Sequence, residues 1–229
     1  MRKIKPWPNA SREQALFARG AKTIVGVDEV GKGSWAGPLV IGIAMLSREL
    51  IFTDEPALEL GGVRDSKQLS ELQREEMFEH LSAKCDRWAI GAASALECDQ
   101  LGMVAAQRLA TARGFVALGA NGASADTAIV DVAIVDGRWD FVSPHAREVM
   151  TEVKADAVCV SVAAASVLAK VSRDRMMRAI AADYPHWHFD TNKGYPCPKH
   201  RTALQGYGPS AIHRTSWAFM PNYVPWLSR

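Results

Sequence analysis

Residues 27–33 read VDEVGKG, lodged between TIVG at 23–26 and SWAGP at 34–38. An apolar run ends in two adjacent acids, and a glycine-rich turn with one cation follows. The next apolar run, Leu39 to Leu46, begins too soon for a crossover helix to intervene. Thr23–Asp28 and Leu39–Leu46 are therefore expected to pair as an antiparallel hairpin, with Asp28 and Glu29 where the first strand runs into the turn.

Outward from the hairpin, periodicity alternates between strand and helix. Ser70-Glu71-Leu72-Gln73 has the form of a capping box, and Met77, Phe78 and Leu81 recur at helical spacing, predicting a helix to about Lys84. Arg87–Leu96 reads as a third strand. Leu101, Ala105, Leu109, Ala112 and Val116 then mark one face of a helix ending near Gly119, followed by a turn at Asn121-Gly122. The run from Ala128 to Val135, stopped by Asp136-Gly137, has the look of an interior strand covered on both faces. Ala157–Val160 reads as a short fifth strand. Ser161 is placed to cap a helix through about Ala182, whose Ala163-Ala164-Ala165 segment permits close approach to a sheet. Beyond Tyr184 prolines, aromatics and cations replace long apolar periods, so this part should lean on the core.

Composition bounds the class. The chain has 229 residues, 48% of them hydrophobic and 23% charged, enough for one well-buried core with an extension. A formal net charge of +2 leaves a nucleic-acid partner to a local cationic patch. Cys85, Cys98, Cys159 and Cys197 show neither a Cys-x-x-Cys pair nor zinc-ligand spacing, and are expected as reduced thiols in a cytoplasmic setting. The proline-broken amino end lacks an apolar stretch of signal-peptide length. The longest apolar run, Ala36 to Leu46, is too short to span a bilayer, so no membrane association is expected.

Several chemistries are excluded on residue type. Gly26-x4-Gly31-Lys32 resembles a phosphate-cradling loop, but Gly33 stands where Ser or Thr must hold magnesium. Gly31-x-Gly33-x-x-Ala36 has the spacing of a dinucleotide fingerprint, yet Gly37-Pro38 and a strand follow where a helix must begin. No Gly-x-Ser-x-Gly elbow occurs, and the histidines form no nucleophile-activating set. His186-Trp187-His188 could bind a metal if it lay in a strand, although packing or surface roles are favoured. Asp28 and Glu29 alone would read as solvated turn residues. Asp136 and Asp156, each beside a buried strand, change that reading, because carboxylates there are costly to desolvate without a positive partner and oxygen-rich clusters suit magnesium or manganese.

The motifs together resemble the ribonuclease HII family. They are Gly26-x-Asp28-Glu29-x-Gly31-Lys32-Gly33 with Ala36-Gly37-Pro38, Asp65-Ser66-Lys67-x-Leu69, Val135-Asp136-Gly137, Lys154-Ala155-Asp156, Ala163 to Lys170 with Arg173-Asp174, Gly194-Tyr195-Pro196, and His213-Arg214-x-Ser216, in the family's order. The resemblance implies an α/β, ribonuclease H-like fold: a mixed five-stranded sheet flanked by helices, with a C-terminal helical and loop extension. On that reading residues 1–229 form a single catalytic domain, its core at about 22–183 and a substrate-contacting segment at about 184–229.

The same resemblance implies hydrolysis of the RNA strand of RNA/DNA hybrids and incision 5′ of ribonucleotides embedded in duplex DNA. Two Mg2+ or Mn2+ ions would work at Asp28, Glu29, Asp136 and Asp156, and the products would carry 5′-phosphate and 3′-hydroxyl ends. Strand alternation sends Asp28 and Glu29 to opposite faces, so the strand end is expected to twist or bulge. Gly31, Lys32 and Gly33 would bring backbone to the ribose 2′-hydroxyl, with Tyr195 packed on the same sugar. Lys67, Ser166 and Lys170 would meet phosphates, and Asp174 would serve a structural or supporting pair. The protein is expected to act as a monomer. Two positions depart from the family's habit: Lys32 where Arg is usual, and Cys197 where Thr is usual. A nucleic-acid-binding module with structural acids, or a catalytically silent relative, is the competing class, distinguished by the absence of metal-dependent nicking.

Overall fold

The computed structural model describes residues 7–63, 69–120 and 129–224. Helix α1 (Ser11–Ala18) precedes the hairpin β1 (Ile24–Val30) and β2 (Leu39–Met45); the short helices α2 (Arg48–Ile51) and α3 (Pro56–Glu59) lead to α4 (Glu71–Lys84). Then come β3 (Arg87–Ala93), α5 (Ala95–Ala120), β4 (Val130–Asp136), β5 (Ala146–Glu152) and α6 (Val160–Ala181). The C-terminal part holds α7 (Phe189–Asn192), α8 (Pro198–Tyr207) and α9 (Met220–Tyr223). The expected mixed sheet is present, in the order β3-β2-β1-β4-β5. β2 pairs antiparallel with β1 and β3, while β4 pairs parallel with β1 and β5. Because β1 and β4 run in the same direction, their carboxyl ends, and so Asp28 and Asp136, emerge at the same edge of the sheet.

Glycine and alanine set how closely helices approach that sheet. A Cβ added to Gly26 would lie 2.1 Å from the Ser161 carbonyl carbon, and one on Gly42 would lie 2.4 Å from the Ala165 oxygen. α6 therefore rests directly on the β1–β2 backbone, as its run of alanines predicts. On the other face, a Cβ at Gly91 would lie 1.9 Å from the Ala110 oxygen, so α5 sits equally close to β3. Val25, Val27, Ile41 and Ile43 pack on that side with Ala106, Ala110 and Phe115.

Four expectations need correction. The buried face of α5 is Ala106, Gln107, Ala110, Thr111, Gly114, Phe115 and Leu118, one position away from the predicted stripe. Leu101 and Val116 are exposed, because only small residues allow the contact with Gly91. The fifth strand is Ala146–Glu152 at the sheet edge, where a half-exposed position permits Arg147 and Glu148 and weakens the apolar signal. Residues 155–157 instead form a 3-10 turn. Ser161 is not the cap of α6. It lies inside the first turn, and its amide and hydroxyl donate to Glu13 Oε1 on α1 at 3.0 and 2.6 Å, so a carboxylate distant in sequence covers the helix's positive end. Lastly, the β1–β2 register runs without interruption through Asp28↔Gly42, Glu29↔Ile41 and Val30↔Val40, so no bulge turns the two acids to one side.

The capping box at Ser70 and Gln73 forms as read. The four cysteines are free thiols. The expected turn at Asn121-Gly122 lies outside the described residues, as do Asp65, Ser66 and Lys67. Among the described residues no helix is long and apolar enough to cross a membrane.

Candidate active site

Asp28 lies near the end of the central strand on the α6 side and is only 6% exposed. Its Oδ1 accepts the Glu29 amide at 2.7 Å, and the Ser166 hydroxyl from α6 also donates to it. Burial pushes its carboxyl up to about 7; Ser166 opposes this, and the nearby carboxylates of Asp136 and Asp156 add to it. Glu29, on the opposite face, is ion-paired with Lys32 Nζ at 2.9 Å and takes a hydrogen bond from Gln107 of α5. Its pKa is raised, first by burial, with Lys32 countering and Asp136 reinforcing. Asp136, closing β4, accepts the Ala155 amide at 2.8 Å. Asp156 is 3% exposed on the 3-10 turn that feeds α6.

The four acids thus reach one sheet edge from β1, β4 and the entry to α6, where Asp28 feels the charges of Asp136 and Asp156, and Glu29 that of Asp136. As the side chains lie, no three His, Cys, Asp or Glu groups among the described residues come together in a metal-holding arrangement. Asp28, Glu29 and Asp136 are each turned toward a protein donor. The donor chemistry nevertheless fits a hard divalent cation: all four offer carboxylate oxygens, and Asp28 is buried where extra negative charge is resisted.

Asp28, Glu29, the 31–33 turn, Ser166, Lys170 and Tyr195 line one cleft of about 360 Å³. Gly31 has φ +89°, and a Cβ there would lie 2.3 Å from Arg173 Nε, so glycine is demanded twice over. At Gly33 a Cβ would meet nothing within 4 Å, and the space above that residue is open. The Gly31 amide, expected to face a sugar, donates instead to Tyr195 Oη at 3.1 Å, joining turn and tyrosine into one surface. Lys170 Nζ is bound to Asp174 Oδ1 at 2.6 Å and lies 5.9 Å from the Tyr195 ring; its pKa is lowered, first by burial. Asp174 therefore pairs with Lys170 rather than with Arg173.

Three residues in supporting positions were not singled out from the sequence. Gln107 is completely buried beside Glu29. Arg173 and Arg214 are also fully buried, and their hydrogen bonds go mainly to backbone carbonyls of the turn region. Arg173 donates to the oxygens of Pro38, Ala36 and Lys193 and to Ser34 Oγ, at 2.8–3.1 Å. Arg214 donates to the oxygens of Lys32 and Gly37 at 3.0 and 3.1 Å. Carbonyls drawn inward by two guanidiniums fix the turn from beneath. Both arginines stand in the quoted motifs, but only contacts across more than a hundred residues reveal their work. His186 and His188 belong to a 3-10 turn and its end, not a strand, and the His186 ring stacks on Tyr207 at 4.4 Å.

A family profile described as Ribonuclease HII matches residues 25–220. Ribonuclease HII of Streptomyces coelicolor is 40% identical over 220 residues, covering 96% of this chain and 87% of that one. Ribonuclease HII of Roseiflexus castenholzii is 38% identical over 218 residues, covering 95% and 92%. Among solved structures, the ribonuclease H2 of Pyrococcus horikoshii OT3 superposes with a TM-score of 0.70 at 28% identity, covering 90% of this chain and 99% of that one.

Proposed function

Because the chain belongs to the ribonuclease HII family, and is with that family a divalent-metal-dependent endoribonuclease of RNA/DNA hybrids, we propose that it also incises duplex DNA on the 5′ side of an embedded ribonucleotide. The observation that carries this reading is that Asp28 and Glu29, two of the four acids, line the same cleft as the glycine turn and Tyr195, whose hydroxyl takes the Gly31 amide.

Asp28, Glu29, Asp136 and Asp156 would hold Mg2+ or Mn2+. When bound, such ions supply an activated water and charge stabilisation for the attacking and leaving oxygens. In the hydrolysis, the water oxygen forms a bond to phosphorus and the P–O3′ bond breaks. The water's proton is lost to solvent, O3′ gains one, and a 5′-phosphate remains on the ribonucleotide. The 2′-hydroxyl of that nucleotide neighbours the next phosphate, not the one cut, so its role is to be recognised and not to attack.

Recognition falls to this chain's own groups. Tyr195, its hydroxyl fixed by the Gly31 amide, presents its ring to the sugar. The amides of Lys32 and Gly33 border the open space above Gly33, and only a backbone without a Cβ lets a ribose approach that closely. Lys170 and Ser166 lie on α6 beside the same cleft and would contact flanking phosphate, with Lys67 as a further expected contact.

The test is a duplex carrying one ribonucleotide, incubated with Mg2+, Mn2+ or a chelator. Metal-dependent nicking 5′ of the ribonucleotide with 3′-hydroxyl and 5′-phosphate ends is the expected result. A 2′,3′-cyclic phosphate product, or equal cutting of an all-DNA duplex, would refute the mechanism.

A further inference from the structure

His200 and His213 are buried, at 0% and 3% exposure, and the chemistry above does not use either. Their Nε2 atoms lie 2.9 Å apart. His200 Nδ1 is 2.9 Å from the Tyr195 carbonyl oxygen, and His213 Nδ1 is 2.8 Å from both the Ser210 amide and the Ser210 hydroxyl.

The two ends of this chain assign the protons. A backbone amide can only donate, so His213 Nδ1 accepts and its proton sits on Nε2. That proton points at His200 Nε2, which must accept, leaving the His200 proton on Nδ1. A carbonyl can only accept, and the Tyr195 oxygen takes that last hydrogen. Both ends require the same arrangement, and an additional proton on either ring would set two hydrogens against each other.

We propose that His200 and His213 are positioning residues for Tyr195: a one-way relay from the Ser210 amide to the Tyr195 carbonyl that sets where the tyrosine meets the glycine turn. The proposal rests on the reading that Tyr195 faces the ribose. Tyr195 needs such fixing, because it follows two residues with left-handed backbone, Lys193 at φ 52° and Gly194 at φ 80°, in a stretch between α7 and α8. Its own amide donates to the Asn192 oxygen at 2.9 Å, its carbonyl takes the relay, and its hydroxyl takes the Gly31 amide. The residue is held at three points, and the relay ties it to the 210–214 segment, where His213 bridges to Ala36 of the turn region.

The enclosure favours neutral rings. Trp35 and Phe189 pack against His200, with ring centroids at 5.9 and 5.5 Å, and Trp187 and Phe189 pack against His213 at 6.0 and 5.6 Å. The titratable groups bearing on the pair are each other and His188. Cys197 accepts the His200 amide, Arg201 lies over Trp35, and the neighbouring Arg214 is directed to the Lys32 and Gly37 carbonyls. Burial lowers the pKa of both imidazoles, in agreement with the geometry.

Kinetics on a single-ribonucleotide duplex in Mg2+ test the relay. His200→Leu should raise KM about tenfold with a much smaller change in kcat, while His200→Asn, whose amide nitrogen can replace Nδ1–H, should stay within about threefold of wild type. In a Tyr195→Ala background, His200→Leu should cost almost nothing further. Full multiplicative losses, or equal damage from Asn and Leu, would overturn the proposal. If Tyr195→Ala alone leaves ribonucleotide selectivity intact, the ribose-reading role of Tyr195 is wrong and the relay falls with it. If Tyr195→Ala impairs selectivity but His200→Leu does not, only the relay is wrong. Imidazole nitrogen NMR of the wild-type protein needs no variant: protons on His213 Nε2 and His200 Nδ1 are expected, and the opposite tautomers would refute the assignment.

Discussion

Asp28 combines burial, a serine donor and two neighbouring carboxylates in a way that makes its charge costly without a cation. Asp28→Asn and Asp136→Asn should each lower turnover at saturating metal by on the order of 100-fold, about 3 kcal/mol of transition-state stabilisation. Near wild-type rates in either variant would move the active site elsewhere. Lys32 carries a different lesson. Its ammonium is paired with Glu29 here, and at 44% side-chain exposure it can swing from that carboxylate to a substrate phosphate. Lys32→Arg should therefore change the rate by less than about tenfold, since a guanidinium can make the same pair. Lys32→Ala should reduce the salt dependence of binding by roughly one phosphate contact while keeping ribonucleotide selectivity. Loss of selectivity with an unchanged salt slope would show that the side chain reads the sugar.

Among the elements, the contact of α6 with β1 and β2 is the one that brings Ser166 to Asp28. It depends on the absence of side chains at Gly26 and Gly42, where backbone meets backbone. Gly42→Ala should destabilise the fold by on the order of 3 kcal/mol, because the Ala165 carbonyl cannot yield without moving the helix. Gly33→Ala is the informative contrast: with nothing within 4 Å of its Cβ, it should alter stability by no more than about 0.5 kcal/mol, yet lower incision by obstructing the sugar. Denaturant unfolding and cleavage assays on both variants separate packing glycine from substrate glycine. An unfolding midpoint shifted as far in Gly33→Ala as in Gly42→Ala would contradict the distinction.

At the scale of the whole molecule, the C-terminal elements close over the turn through Trp35, which packs with Leu204, Met220 and Val224. The histidine pair is buried in this closure, and that makes it sensitive to acid. The His213 imidazole is pushed down to about 3, first by burial and then by His200. The unfolded chain, with an ordinary value of about 6.5, binds the proton more readily. Its stabilising contribution is therefore complete above about pH 6.5 and is lost as the pH falls toward 3. Comparing unfolding free energies of wild type and His213→Gln from pH 7 to pH 4 should show the wild-type advantage shrinking through that window. A difference independent of pH would exclude His213 as the titrating group.

What the sequence determined by itself was whatever contiguous residues can encode. The β1–β2 hairpin followed from two apolar runs around a short glycine turn, α4 from its capping box, and β4 from a mostly apolar run ending in an acid. The ordered motifs identified the family. Tertiary structure decided the rest, because the deciding partners lie far away along the chain. α5 buries Ala106 and Ala110 rather than Leu101 and Val116, since Gly91 admits only small neighbours. β5 is a half-exposed edge strand, so its sequence need not be apolar. Glu13 caps α6 across 148 positions, and Arg214 holds the Lys32 carbonyl across 182. Asp28 and Glu29 face opposite helices because the register stays regular, and which donors meet them depends on what those helices carry. Periodicity shows that a group is buried, but the energy of a buried charge is set by the atoms that replace its water, and only the folded chain supplies those.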